Sequence, residues 1–123
     1  YMTPWKAEQL MGIKPKRMYT AYDTLDDYDH LRAMSGMLTN AGYSRKSHGV
    51  HCYFLCGYRE DSFEAAERRA EQIMRLGFLP FAMLYRDEEG KRDPEWRKFQ
   101  REWANAFIVG RKFADFWAGK ETT

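Results

Sequence analysis

The sequence predicts an α/β protein with three parallel strands, each followed by a helix, and an extra helix at the C-terminal end. Three observations predict it. Short apolar runs at 17–22, 50–57 and 79–85 alternate with segments of helical periodicity. Gly42 and Gly77 stand 35 residues apart, and each is followed directly by an aromatic residue, Tyr43 and Phe78. That period suits a strand–helix unit. Strands joined through helices run parallel, because the crossover returns the chain to the same end of the sheet.

The elements follow in order. Residues 1–15 contain Pro4, Gly12 and Pro15 and read as an irregular or short-helical lead-in. Arg17 to Tyr22 reads as the first strand. Thr24 can cap a helix, with Asp27 three residues on. Leu25, Tyr28, Leu31, Met34, Leu38 and Ala41 recur at helical spacing, and Gly42 is a stop. Val50 to Gly57 is a continuous apolar and aromatic run, the pattern of a strand buried on both faces. Asp61 and Glu64 form a D-x-x-E capping box for a second helix. Its apolar face is Phe63, Ala66, Ala70, Ile73 and Met74; its wet face is Arg68, Arg69, Glu71, Gln72 and Arg75. Leu79 to Tyr85 is the third strand, with Pro80 near its start, where a missing donor is tolerable. Asp93-Pro94 starts a helix, aspartate as cap and proline at the first helical position. Trp96, Phe99, Trp103 and Phe107 share one face of it, and a last short helix runs from about Arg111 to Trp117.

The stretch HCYFLCGYREDSFEAAERR, His51 to Arg69, holds both cysteines of the chain. On a strand, Cys52 and Cys56 point to the same side but lie roughly 13 Å apart at about 3.3 Å per residue. A disulfide needs Cα atoms within about 7 Å, and zinc needs every thiolate within about 2.3 Å of one ion. The pair therefore reads as two buried structural residues. His48 and His51 lie nearby, but no second ligand pair with metal spacing follows. His30 reads as a solvated helix residue.

Composition bounds the function. With 123 residues, 44% hydrophobic and 16% aromatic, the chain is long enough for one folded domain with one core. A net charge of +2 supplies no strong global field for nucleic acid. Two cysteines and no signal-like apolar run point to a reducing, cytoplasmic setting. No apolar stretch approaches the roughly 18 residues of a membrane span.

In parallel α/β folds, function gathers at the carboxyl ends of strands. Here those ends are Tyr22-Asp23, Gly57-Tyr58-Arg59-Glu60 and Arg86-Asp87. Asp23 and Asp87 read equally well as helix caps or solvated loop residues. Arg59 and Arg86 are better candidates for an anionic ligand group, and Gly57 would admit a ligand close to the backbone.

The segments CYFLCGYREDSFEAAERR, GFLPFAMLYRDEEGKRDPEWRKFQREW and, less sharply, MYTAYDT resemble the C-terminal half of radical S-adenosylmethionine (SAM) proteins. Members carry G-x-I-x-G-x-x-E on the fifth strand. Tyr53 to Glu60 fits that pattern with Tyr53 in place of the first glycine and Leu55 in place of isoleucine. The resemblance covers most of 17–107. It implies that the three strands are the fourth, fifth and sixth of a partial, TIM-like barrel, so that this chain is a half-barrel. Leu55 would pack on the adenine of SAM, Tyr22 or Asp23 would approach the ribose, and Phe81 to Met83 would border the adenine. Gly57, Arg59, Glu60 and Arg86 complete the implied cofactor-binding set.

The family's C-x-x-x-C-x-x-C motif for a [4Fe–4S] cluster is absent from this sequence. Cys52 and Cys56 have the first spacing on the wrong element, with no third cysteine. The cluster is therefore expected only in a missing N-terminal half, and the chain alone should not cleave SAM. It would be a piece of a longer enzyme or a degenerate relative. No catalytic residue and no substrate is assigned to it.

Two alternatives stand beside this reading. One is a non-catalytic binding or interaction module, a homodimer in which two copies pair their exposed sheet edges into a six-strand arc. The other is single-stranded nucleic-acid binding through Trp96 to Trp103, which interleaves basic and aromatic residues. The shared helical face of those aromatics weighs toward core packing instead.

Overall fold

The computed structural model describes residues 2–12, 17–22, 27–47, 49–57, 61–85 and 93–121. The chain runs α1 (Pro4–Gly12), β1 (Met18–Tyr22), α2 (Asp27–Asn40), a 3-10 turn (Arg45–Ser47), β2 (Val50–Cys56), α3 (Phe63–Arg75), β3 (Leu79–Leu84), α4 (Pro94–Ala104) and α5 (Ala106–Glu121). The three strands form one open, parallel sheet in the order β1-β2-β3. The expected α/β class, the parallel strands and the C-terminal helices are all present. The expected Thr24 cap lies outside the described residues.

The two glycine stops work identically. Gly42 and Gly77 hold positive φ, 113° and 87°, a region that glycine enters without a Cβ penalty. The amide after each glycine reaches back five residues: Tyr43 N–H donates to the Leu38 carbonyl (2.8 Å) and Phe78 N–H to that of Ile73 (3.2 Å). The glycine amides bond Thr39 and Met74. This double bond pattern closes a helix and turns the chain into the next strand. The two following aromatics then meet, Tyr43 against Phe78 at 6.0 Å, and the Tyr43 hydroxyl donates to the Gly77 carbonyl. The repeat visible in the sequence is thus one packed layer beneath the sheet.

Three local expectations are corrected. The cap of α3 is Ser62, whose Oγ accepts from Ala65 N–H at 3.1 Å, and not Asp61. Asn105 leaves helical geometry and caps α5 by accepting from Phe107 and Ile108. Phe107 therefore belongs to α5 and is 90% exposed, away from the buried Phe99 and Trp103. The third correction is the largest. β2 is not buried on both faces: Val50, Cys52, Phe54 and Cys56 are buried, while His51, Tyr53 and Leu55 are half-exposed.

That alternation defines the architecture. The core gathers the even-numbered β2 residues with Tyr22, Leu31, Leu38, Ile73, Phe78, Phe99 and Trp103. The helices supply one side of that core, so one face of the sheet is covered. The other face is left largely bare.

Candidate functional site on the open sheet face

Strand register lays the bare face out in rows. Tyr19 is level with His51 and Leu79, Ala21 with Tyr53 and Phe81, and Leu55 with Met83. Arg17 lies two residues before Tyr19 on the same face, since side chains alternate along a strand. A cavity of about 600 Å³ is lined by Arg17, Tyr19, His51, Tyr53, Phe81 and Met83 of this face; Gln100, Ala104 and Ala106 of the α4–α5 junction also line it.

The rings are ordered. Tyr19 and Tyr53 are near-parallel, 15° apart in plane with centroids at 6.0 Å. His51 stacks on Phe81 at 4.8 Å and meets Tyr19 edge-on at 5.4 Å. Phe81 is buried by these neighbours, whereas Tyr19 is 57% and Met83 54% exposed. The face passes from cationic at Arg17, through aromatic, to aliphatic at Leu55 and Met83.

The residues expected to bind SAM divide on this geometry. Leu55 and Met83 are paired at the carboxyl ends of β2 and β3, on the open face. Phe81 sits one row below, beside Tyr53. Tyr22 is on the opposite face. It is fully buried, and its hydroxyl donates to Gln72 Oε1 at 2.8 Å. Its expected approach to a ribose does not fit, because a level step of one residue along β1 turns the side chain to the helix side. Gly57 is needed for its own reasons. Its φ is +76°, and a Cβ there would stand 3.1 Å from Leu84 and 3.3 Å from the Trp96 indole. The space expected for a ligand is filled by α4. Asp23, Arg59, Glu60, Arg86 and Asp87 lie outside the described residues.

A connection at the tip of β2 was not anticipated. Asp61 accepts from Gly57 N–H (2.9 Å), and Arg69 reaches from α3 to Asp61 and to the Leu55 carbonyl. Arg69 had the spacing of a wet-face residue. Its length lets it reach back to Asp61 and to the Leu55 carbonyl at the end of β2, which periodicity does not register.

Neither cysteine is in a disulfide, and both are buried on the helix side. Burial, with Asp61 nearby, pushes the Cys56 thiol up to about 12, partly opposed by Arg69. Among the described residues no group of three or more histidine, cysteine or acidic side chains could hold a metal ion. The residues described here therefore do not fit an iron–sulfur cluster. Leu55 and Met83 present adjacent apolar side chains on the open face.

No described helix is long and apolar enough to cross a membrane. No family model, curated protein or solved structure matches the chain.

Proposed function

We propose that this chain is the SAM-binding, C-terminal half of a radical SAM protein, inactive without a cluster-bearing half. The observation that carries the reading is the Leu55–Met83 pair: two apolar side chains in register at the carboxyl ends of adjacent parallel strands, on the face that the helices leave largely bare. In a partial barrel the uncovered face is the interior, and the strand ends are where ligands sit. The segment resemblance that includes Tyr53 to Glu60 supplies the ligand's identity.

Within this reading, Leu55 and Met83 stand side by side as an apolar platform on which one face of the adenine lies, excluding water from that face. Asp61 and Arg69 tie the end of β2 to the start of α3 through the Gly57 amide and the Leu55 carbonyl. Any radical chemistry would need a cluster held by another half, which would donate the electron that breaks a carbon–sulfur bond of SAM and releases methionine; this chain would contribute binding and orientation.

The test is a titration of the isotope-labelled chain with SAM and with S-adenosylhomocysteine to about 5 mM, enough to detect a Kd near 1 mM. The expected result is shifts at the Leu55 and Met83 methyls and the Gly57 amide, lost in Leu55→Glu. Absence of shifts at those three positions overturns the reading. A non-catalytic module would then take its place.

A further inference from the structure

We propose that the aromatic rows of the open face bind a nucleotide unit, with a base stacked on Tyr19 and a phosphate held by Arg17. This site lies below the Leu55–Met83 pair and stands independently of the SAM reading.

Three features select that ligand. The first is a stack with one end open. Tyr53 and Tyr19 are near-parallel, and Tyr19 keeps 57% of its surface exposed. A planar ring laid on Tyr19 continues the stack and buries a tyrosine that the fold leaves in water. The second is spacing. Ala21 follows Tyr19 on the same face, is exposed, and carries only a methyl group in the row of Tyr53. Arg17 precedes Tyr19 by two residues, about 7 Å along the strand. A ring on Tyr19 thus has an exposed cation on one side and room on the other. The third is chemistry. Aromatic rings on a sheet face accept any base through its π surface, and arginine adds charge-assisted contact to a phosphate. An apolar protein partner would gain nothing from Arg17, whereas an anionic planar ligand uses both.

The site also differs from the helical stretch 96–103 singled out by its basic and aromatic residues. There Phe99 and Trp103 are buried in the core, so the rings are not available to bases.

The ligand could reach this face as a free mononucleotide or as part of a single strand, and the assay separates the two. Titrations would use AMP, CMP, the corresponding nucleosides, inorganic phosphate and a short single-stranded DNA and RNA, read by shifts of the Tyr19, Tyr53 and His51 rings. Mononucleotides are expected to bind, with nucleosides about tenfold weaker and inorganic phosphate alone causing no ring shifts. Tyr19→Ala should weaken every base-containing ligand by about tenfold, the scale of one base–aromatic stack. Arg17→Ala should weaken nucleotides but leave nucleosides unchanged. A strand binding much more tightly than its mononucleotide assigns the site to nucleic acid; equal affinity assigns it to free nucleotide. Both variants alter exposed side chains, and circular dichroism confirms that they fold. The proposal is overturned if no nucleotide or strand shifts the rings, if Tyr19→Ala binds as well as the parent, or if the face is occupied by a second copy, seen as a dimer that Tyr19→Ala dissociates. SAM shifting only Leu55, Gly57 and Met83 while nucleotides shift nothing would sink this inference and leave the SAM reading standing.

Discussion

Arg69 grips Asp61 with both terminal nitrogens, Nη2 at 2.6 Å and Nη1 at 3.2 Å, and shares Nη2 with the Leu55 carbonyl at 3.0 Å. Asp61 also accepts from the amides of Gly57 and Ser62. The side chains are 19% and 7% exposed. A two-pronged pair this far from water is unlike a solvated ion pair. Removing one partner strands the other. Arg69→Met should therefore cost about 2–4 kcal/mol in urea unfolding. Combining it with Asp61→Asn should recover part of that. A loss under about 0.5 kcal/mol would place the pair among ordinary surface contacts.

Stability should fall above pH 9. Burial raises Tyr43 from 10.0 to about 12, against a smaller opposing contribution from the Val50 backbone. Burial, then Asp61, raises Cys56 from 9.0 to about 12. Each group keeps its proton more tightly when folded. Its contribution is fully present below the unfolded value and is lost as pH rises through the folded one. The window is therefore pH 9 to 12. Unfolding midpoints measured across it should drop, and Cys56→Ala should flatten the lower part of the curve.

Gly57 is held by geometry that a methyl group violates. Gly57→Ala meets a positive φ and contacts of 3.1 and 3.3 Å. The expected loss is about 1–3 kcal/mol. Trp96→Leu in the same chain vacates the indole's place, so the two changes should couple in a double-mutant cycle. Strict additivity would show that only backbone strain matters.

Two phenylalanines eight residues apart should behave oppositely. Phe99 is buried against Phe63, Trp96 and Trp103. Phe99→Ala should cost about 3–5 kcal/mol. Phe107, 90% exposed, stands in water. Phe107→Ser should stay within about 0.5 kcal/mol. Denaturant curves of the two variants check the contrast that the break at Asn105 creates.

Much of this fold was legible because local chemistry and topology agree. Asp93-Pro94 starts α4 as its residue types require, with Asp93 accepting from Glu95 N–H at 2.8 Å. Gly42 and Gly77 end helices where the chain must turn. Other features were hidden by residues that fit two descriptions. In β2, His51, Tyr53 and Leu55 alternate with Val50, Cys52, Phe54 and Cys56, so both faces contain apolar bulk and period two disappears. Asp61 and Ser62 are adjacent capping residues, and only the start of α3 at Phe63 chooses between them. Asn105 interrupts an aromatic spacing that runs on through Phe107. At the candidate site, the segment resemblance points to Leu55 and Met83 at the strand tips. Nothing in the sequence separates Tyr19, His51 and Tyr53, on the open face, from strand residues that face the core.

The inward turn of Cys52 and Cys56 makes the native thiols silent labels. Both lie behind the sheet, and Cys56 holds its proton far above neutral pH. A thiol introduced at the exposed Ala21, as Ala21→Cys, would therefore be the one readily alkylated position among the described residues. Its labelling rate would read out directly, without a ligand's name, whether anything occupies the open face.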